Sequence, residues 1–61
     1  MTIELMKFET KVGVVKLSRL ETGWYRVSGW VKGEEVGWSQ TLQTLDEAER
    51  YYNKKIGETL L

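Results

Sequence analysis

The centre of the chain reads GWYRVSGWV over residues 23–31. Aromatic and β-branched residues are enriched in β-strands, so this run predicts a strand over residues 24–31. Successive side chains of a strand point to opposite faces of its sheet. One face of the predicted strand holds Tyr25, Val27, Gly29 and Val31. The other face holds Trp24, Arg26, Ser28 and Trp30.

Turn signals flank this strand on both sides. Residues 20–23 (LETG) and 32–35 (KGEE) join it to predicted strands over residues 12–19 and 36–42. A four-residue turn at 32–35 pairs Gly29 with Trp38 and lays the indole over the glycine. A two-residue turn at Lys32 and Gly33 shifts the register by two and keeps the same faces. Residues 3–8 form a further strand or extend the first one, with residues 9–11 as a bend.

The last third of the chain predicts a helix over residues 45–56. Thr44 and Glu47 match a capping box, in which each side chain satisfies the other residue's backbone N–H. Gly57 follows as the expected left-handed stop. An apolar stripe recurs at steps of three and four residues, and it comprises Leu45, Ala48, Tyr52 and Ile56.

Together these elements predict an α+β fold in one small domain that spans residues 1–61. An antiparallel three- or four-stranded β-meander carries a single C-terminal helix on one face. The helix stripe is expected to pack on the face that holds Tyr25 and Val27. The other strands would supply that face with Val15, Leu17, Val36, Trp38, Gln40 and Leu42. A chain of 61 residues buries a small core, so we expect a stability of only a few kcal/mol.

The composition argues against catalysis and against metal or cofactor binding. The chain has no histidine and no cysteine, which removes the commonest general base, the commonest metal ligands and thiolate chemistry. Its nine acidic residues show no calcium-loop spacing. Glu34 and Glu35 are adjacent, but neighbouring residues of a strand or turn point to different sides. We therefore expect no enzyme, no cofactor and no metal site.

Charge and hydropathy bound the setting and the partner. No apolar run is long enough to span a membrane, and the first residues do not resemble a secretory signal, so a cytoplasmic location without membrane partners is expected. The formal net charge is zero. Nucleic-acid-binding domains are usually basic, so this balance disfavours non-specific nucleic-acid binding.

The face opposite the predicted core is the candidate binding surface. Exposed tryptophans are unusual, and Trp and Arg are enriched at binding hot spots. The candidate binding residues on this face are Lys16, Trp24, Arg26, Trp30, Ser39 and Thr41. In the alternative interpretation, this face is a second small core of a partly closed barrel. The N-terminal segment with Ile3, Leu5, Met6 and Phe8, or the tail Leu60-Leu61, would then cover the tryptophans.

The pattern GWYRV at 23–27 followed by TLDEAE at 44–49 resembles the AP2-like, arm-type DNA-binding domains of phage and transposon integrases. The resemblance implies a three-stranded sheet that lies in the DNA major groove while the helix packs behind it. Trp24, Arg26 and Trp30 would then contact DNA, joined by Lys16, Ser39 and Thr41. The chain departs from the family at Glu34 and Glu35, where the relatives carry basic residues.

Two functions follow from these observations. We favour a non-catalytic module that binds a protein partner, such as a regulator or inhibitor encoded by a phage or another mobile element. Zero net charge supports this choice, because nine acidic residues offset the nine cations that could anchor phosphates. The alternative is a DNA-binding module that uses the sheet as the integrase domains do. An edge strand could also pair with a second copy to form a homodimer.

Overall fold

The computed structural model describes all 61 residues and shows the predicted α+β meander. Four antiparallel strands lie side by side in chain order: β1 (Ile3–Glu9), β2 (Gly13–Arg19), β3 (Tyr25–Val31) and β4 (Trp38–Leu42). The helix α1 (Leu45–Thr59) follows and packs over β2, β3 and β4. The sheet therefore has four strands, and residues 3–9 form a separate strand at its edge. No helix is long and apolar enough to cross a membrane.

The observed register confirms the predicted strand pairing. Arg19 lies opposite Tyr25, and Gly29 lies opposite Trp38. A Cβ atom added at Gly29 would lie 2.7 Å from Cε2 of Trp38, so the indole covers the glycine as expected. The absence of a side chain at position 29 thus makes room for the largest side chain of β4.

The core lies between the sheet and α1. Val15, Leu17 and Val27 are fully buried, and Ala48, Tyr52, Ile56 and Leu60 cover them from the helix side. Tyr25, Trp38, Leu42 and Tyr51 pack around the margin of this cluster. Each fully buried aliphatic side chain contributes about 1.5–3 kcal/mol to folding, so a few contacts dominate the stability of this small domain.

The hairpin between β3 and β4 is longer than the sequence predicted. Gly33 has a φ of 98°, which favours glycine, and the N–H of Glu34 donates to the carbonyl of Val31 over 3.0 Å. The strand consequently starts at Trp38 rather than at residue 36. Val36, expected on the core face, lies in this loop with 76% of its surface exposed. The starts of β2 and β3 and the end of β1 differ by one residue from the prediction.

Thr44 caps the helix, but only half of the predicted capping box is present. The N–H of Glu47 donates to the Thr44 hydroxyl over 3.2 Å. The Glu47 carboxylate accepts a hydrogen bond from the same hydroxyl over 3.0 Å instead of reaching the backbone N–H of Thr44. The apolar stripe was predicted one turn too early, because Leu45 is the first helical residue and remains exposed, and burial begins at Ala48.

The prediction that Gly57 ends the helix is wrong. Gly57 is helical, and α1 continues to Thr59. Leu60 follows Ile56 by four residues, so it extends the same stripe and is buried, with its N–H bonded to the carbonyl of Ile56 at 2.9 Å. Burial of a leucine contributes more than the roughly 1 kcal/mol that a glycine costs inside a helix.

The partly closed barrel is also ruled out by the strand order. β1 pairs with β2 at the sheet edge rather than crossing the tryptophans, and a bulge at Leu5 interrupts its register. Leu60 packs on the helix side of the sheet. One face of the sheet is therefore left without a covering element.

Candidate binding face

The open face is the side of the sheet that points away from α1. Alternation along the strands and their register assign to it Glu4, Lys7, Glu9, Val14, Lys16, Ser18, Arg26, Ser28, Trp30, Ser39 and Thr41. Directly opposite residues of antiparallel strands share a face, with Cβ atoms about 4.5–5.5 Å apart. The open face is therefore organised as cross-strand rows, each of which runs from β1 towards β4.

The middle row combines two cations with two hydroxyls. Lys7 lies opposite Lys16, Lys16 opposite Ser28, and Ser28 opposite Ser39. Like charges directly opposite each other disfavour the strand pairing. Lys7 is relieved by an ion pair with Glu9 at 3.5 Å, but Lys16 has no ion pair within the chain. This row is the part of the open face best suited to accept a negatively charged group.

A second row places Arg26 beside hydroxyl groups. Arg26 lies between Ser18 on β2 and Thr41 on β4, with Glu4 at the far end of the row. Arg26 also has no ion pair, so its guanidinium donors are free for a partner. Counted together, the open face carries three cations and two carboxylates. The face is therefore slightly positive on a chain whose net charge is zero.

The two tryptophans lie at opposite ends of β3. Trp24 immediately precedes the strand, and its carbonyl accepts a hydrogen bond from Leu20 that continues the β2–β3 ladder. This extension of the alternation assigns Trp24 to the side of Arg26. Trp30 lies opposite Val14 in the third row. The exposed fractions are 44% for Trp24 and 41% for Trp30.

Trp30 is held in place by the hairpin that follows it. Its indole N–H donates to the backbone carbonyl of Glu34 over 3.0 Å. A shallow cleft of about 210 Å³ lies beside the ring, and its lining includes Lys11, Lys32 and Glu9. An aromatic plane that is already fixed loses little side-chain entropy when a partner packs on it.

The structure gathers the sequence-predicted site with one qualification. Lys16, Arg26, Trp30, Ser39 and Thr41 lie on the open face, whereas Trp24 lies just before β3 rather than within it. Sequence reasoning missed Lys7 and Glu9, which β1 adds to the same face. Their alternate spacing was a usable signal, but the bulge at Leu5 breaks the alternation along residues 3–9 and obscures it.

The open face combines charged, hydroxyl and aromatic side chains. The cations, hydroxyls and aromatic rings of the open face can hold anionic or planar groups. No group of three or more acidic side chains converges anywhere in the structure. No family model, no curated protein and no solved structure matches the chain.

Proposed function

We propose that the protein is a small non-catalytic binding module that holds a protein partner against its open face. The observation that carries the proposal is the exposure of Trp24 and Trp30 on a face that no element of the fold covers. A tryptophan buries up to about 250 Å², so roughly 100 Å² of each ring remains available. Its burial would contribute about 2.5 kcal/mol per ring.

The charges around the rings indicate the chemistry of the partner. Lys16 and Arg26 lie between the two tryptophans without acidic neighbours across the strands. A partner that presents carboxylates between two apolar side chains would match this order of groups. Such complementarity favours specificity and fast association more than raw affinity. A regulator or inhibitor that acts by occupying a partner's surface fits these features.

The test is affinity capture with two matched double variants. Trp24→Ala with Trp30→Ala removes both aromatic surfaces of the proposed site. Val36→Ala with Leu45→Ala removes two exposed apolar side chains elsewhere on the molecule. Circular dichroism first confirms that both variants fold. A partner captured by the wild type and the control, but lost with the tryptophan variant, supports the proposal. Equal capture by both variants would refute it.

A nucleic acid is the second candidate, and the middle row favours it. Lys7 and Lys16 face each other, and the hydroxyls of Ser28 and Ser39 continue the same line. Cations and hydroxyls are the usual donors to phosphate oxygens, while the tryptophan planes can stack on unpaired bases. The resemblance of residues 23–27 and 44–49 to integrase arm-type domains assigns the same face to DNA.

An amide NMR titration separates this candidate from the first. The labelled protein is titrated with a mixed-sequence duplex and with a single strand, at low and at physiological salt. If nucleic acid is the partner, the shifts centre on Lys16, Arg26 and the indole N–H groups. Three cations on phosphates would give a slope of log K against log salt of about −3. Unchanged spectra at low salt, or binding that survives Arg26→Glu, would remove nucleic acid.

A further inference from the structure

β1 is an edge strand that pairs only with β2, so the backbone N–H and C=O groups on its other side have no partner strand. The N–H of Thr10 donates to the carbonyl of Gly13 over 2.8 Å, so the backbone N–H and C=O of Thr10 point towards β2. Along an antiparallel strand, every second residue directs its backbone N–H and C=O to the same neighbouring strand. The backbone groups of Phe8 and Met6 therefore also point towards β2. The N–H and C=O groups of Lys7 and Glu9 therefore point outwards, to the free edge of the sheet.

On the helix side of the sheet, the apolar side chains of β1 are only partly covered. Phe8 lies opposite Val15, and Met6 lies opposite Leu17, which are both core residues. Nevertheless 37% of Phe8 and 36% of Met6 is exposed. Natural proteins usually protect edge strands with proline, charged side chains, β-bulges or a covering element. The bulge at Leu5 lies near the N-terminal end of β1, and the charges of Lys7 and Glu9 lie on the open face. β1 has seven residues without proline and leaves two large apolar side chains uncovered beside the core.

We propose that two copies of the chain pair through β1, antiparallel, about a two-fold axis that passes between the two Phe8 residues. In this register Lys7 lies opposite Glu9 of the partner subunit, and Glu9 lies opposite Lys7 of the partner subunit. The outward backbone groups of these residues meet and form the hydrogen-bonded pairs. Phe8 forms the close, non-hydrogen-bonded pair, in which side chains approach most tightly.

Charge complementarity selects this register over its neighbours. A slip of one residue would bring the apolar side of β1 opposite the charged side. A shift of the two-fold axis from Phe8 to Lys7 would place Lys7 opposite Lys7 of the partner subunit. Like charges in that position disfavour strand pairing. The proposed register makes two opposite-charge pairs from residues that already form an ion pair at 3.5 Å within one chain.

The dimer would resolve both deficits of β1 together. The two sheets become one sheet of eight strands, with both helices on the same side. The two Phe8 rings then lie between the helices, where each shields the other and the adjacent Met6 from water. The two open faces lie side by side, so any partner of that face would meet a surface of twice the width.

A charge-swap cycle tests the proposal. Sedimentation velocity and light scattering measure the dimer fraction of the wild type, Lys7→Glu, Glu9→Lys and the double variant. Each single variant places like charges opposite each other across the interface. We expect its dimer to be about tenfold weaker than that of the wild type. The double variant exchanges the charges and is expected to recover the wild-type dimer. A wild type that stays monomeric up to about 1 mM, or a double variant no better than the singles, would overturn the proposal.

Cysteine cross-linking tests the register independently. The chain has no native cysteine, so Phe8→Cys introduces a single thiol. Cα atoms of a non-hydrogen-bonded pair lie about 4.5 Å apart, within the range of a disulfide. Met6→Cys is the control, because its thiol would be about 13 Å from its counterpart in the partner subunit. Mild oxidation should link Phe8→Cys into a dimer and leave Met6→Cys monomeric. Equal linking of both, or linking of Met6→Cys alone, would contradict the register.

Discussion

Gly29→Ala is the substitution that tests the packing of the sheet most sharply. The added Cβ would lie 2.7 Å from Cε2 of Trp38 and 3.0 Å from the carbonyl oxygen of Val14. The carbonyl belongs to the β2 backbone, so it cannot retreat. The indole must therefore move if the alanine is to be accommodated.

Movement of Trp38 is costly because two further groups fix its ring. Tyr51 makes an edge contact with centroids 6.3 Å apart, and the ammonium of Lys55 lies 4.8 Å from the ring centroid. Overpacking of this kind costs about 1–3 kcal/mol. Alanine returns about 0.5 kcal/mol of the backbone entropy that a glycine loses in a strand. We therefore expect a net loss of about 1.5 kcal/mol, which lowers the Tm of a domain this small by roughly 10 °C.

Urea unfolding followed by circular dichroism measures this loss, and Gly57→Ala is the matched control. Gly57 lies within α1, and a Cβ added there would meet nothing within 4 Å. The same substitution should therefore stabilise the protein by about 0.5–1 kcal/mol at position 57. A Gly29→Ala variant as stable as the wild type would refute the account of Trp38 packing.

Three further predictions concern α1. Thr44→Ala removes the hydroxyl that accepts a hydrogen bond from the Glu47 N–H, so the free energy of unfolding should fall by about 1 kcal/mol. An unchanged midpoint of chemical unfolding would show that this cap does not stabilise the protein. Lys55→Ala removes the cation above Trp38 and should cost about 0.5–1 kcal/mol by the same assay, and an unchanged stability would contradict a contribution from this contact. Burial raises the pKa of Tyr52 above 10.0, so its contribution to stability is complete below pH 10 and is lost as the pH rises through the folded-state pKa. The Tm measured between pH 9 and about 11.5 should consequently fall more steeply for the wild type than for Tyr52→Phe. Parallel Tm profiles of the two proteins would contradict this prediction.

Most of the fold follows from local patterns in the sequence. The alternation along residues 24–31 assigns both faces of β3, and the turn residues on either side place β2 and β4 next to it. The turn length left two registers open for β3 and β4, and the structure has the one that pairs Gly29 with Trp38. These signals are short in range and agree with one another, so they survive in the folded state.

The errors arose where tertiary packing outweighed a local signal. Gly57 is a typical helix stop, but burial of Leu60 extends α1 beyond it. Val36 has a strong preference for strands, yet the hairpin closes around Gly33 and leaves it exposed. The end of α1 cannot be read from neighbouring residues, because it depends on the core surface that the sheet supplies to Leu60.

The candidate site was predictable to the extent that it rests on alternation. Lys16, Arg26, Trp30, Ser39 and Thr41 occupy one face because their strands keep their phase throughout. β1 loses its phase at the Leu5 bulge, so its contribution to the face, Lys7 and Glu9, required the structure. A bulge depends on the pairing of two strands and has no reliable signature within one of them.

Site-specific photo-cross-linking in the producing cell identifies which face of the sheet a partner occupies. Thr41 and Gln40 are exposed neighbours on β4, but Thr41 belongs to the open face and Gln40 to the helix side. A photoreactive phenylalanine is placed at each position in turn. We expect a discrete protein conjugate from position 41 and none from position 40, with the conjugate lost when Trp24 and Trp30 are replaced by alanine. Equal conjugates from both positions, or none from position 41, would contradict the claim that the open face is the binding surface.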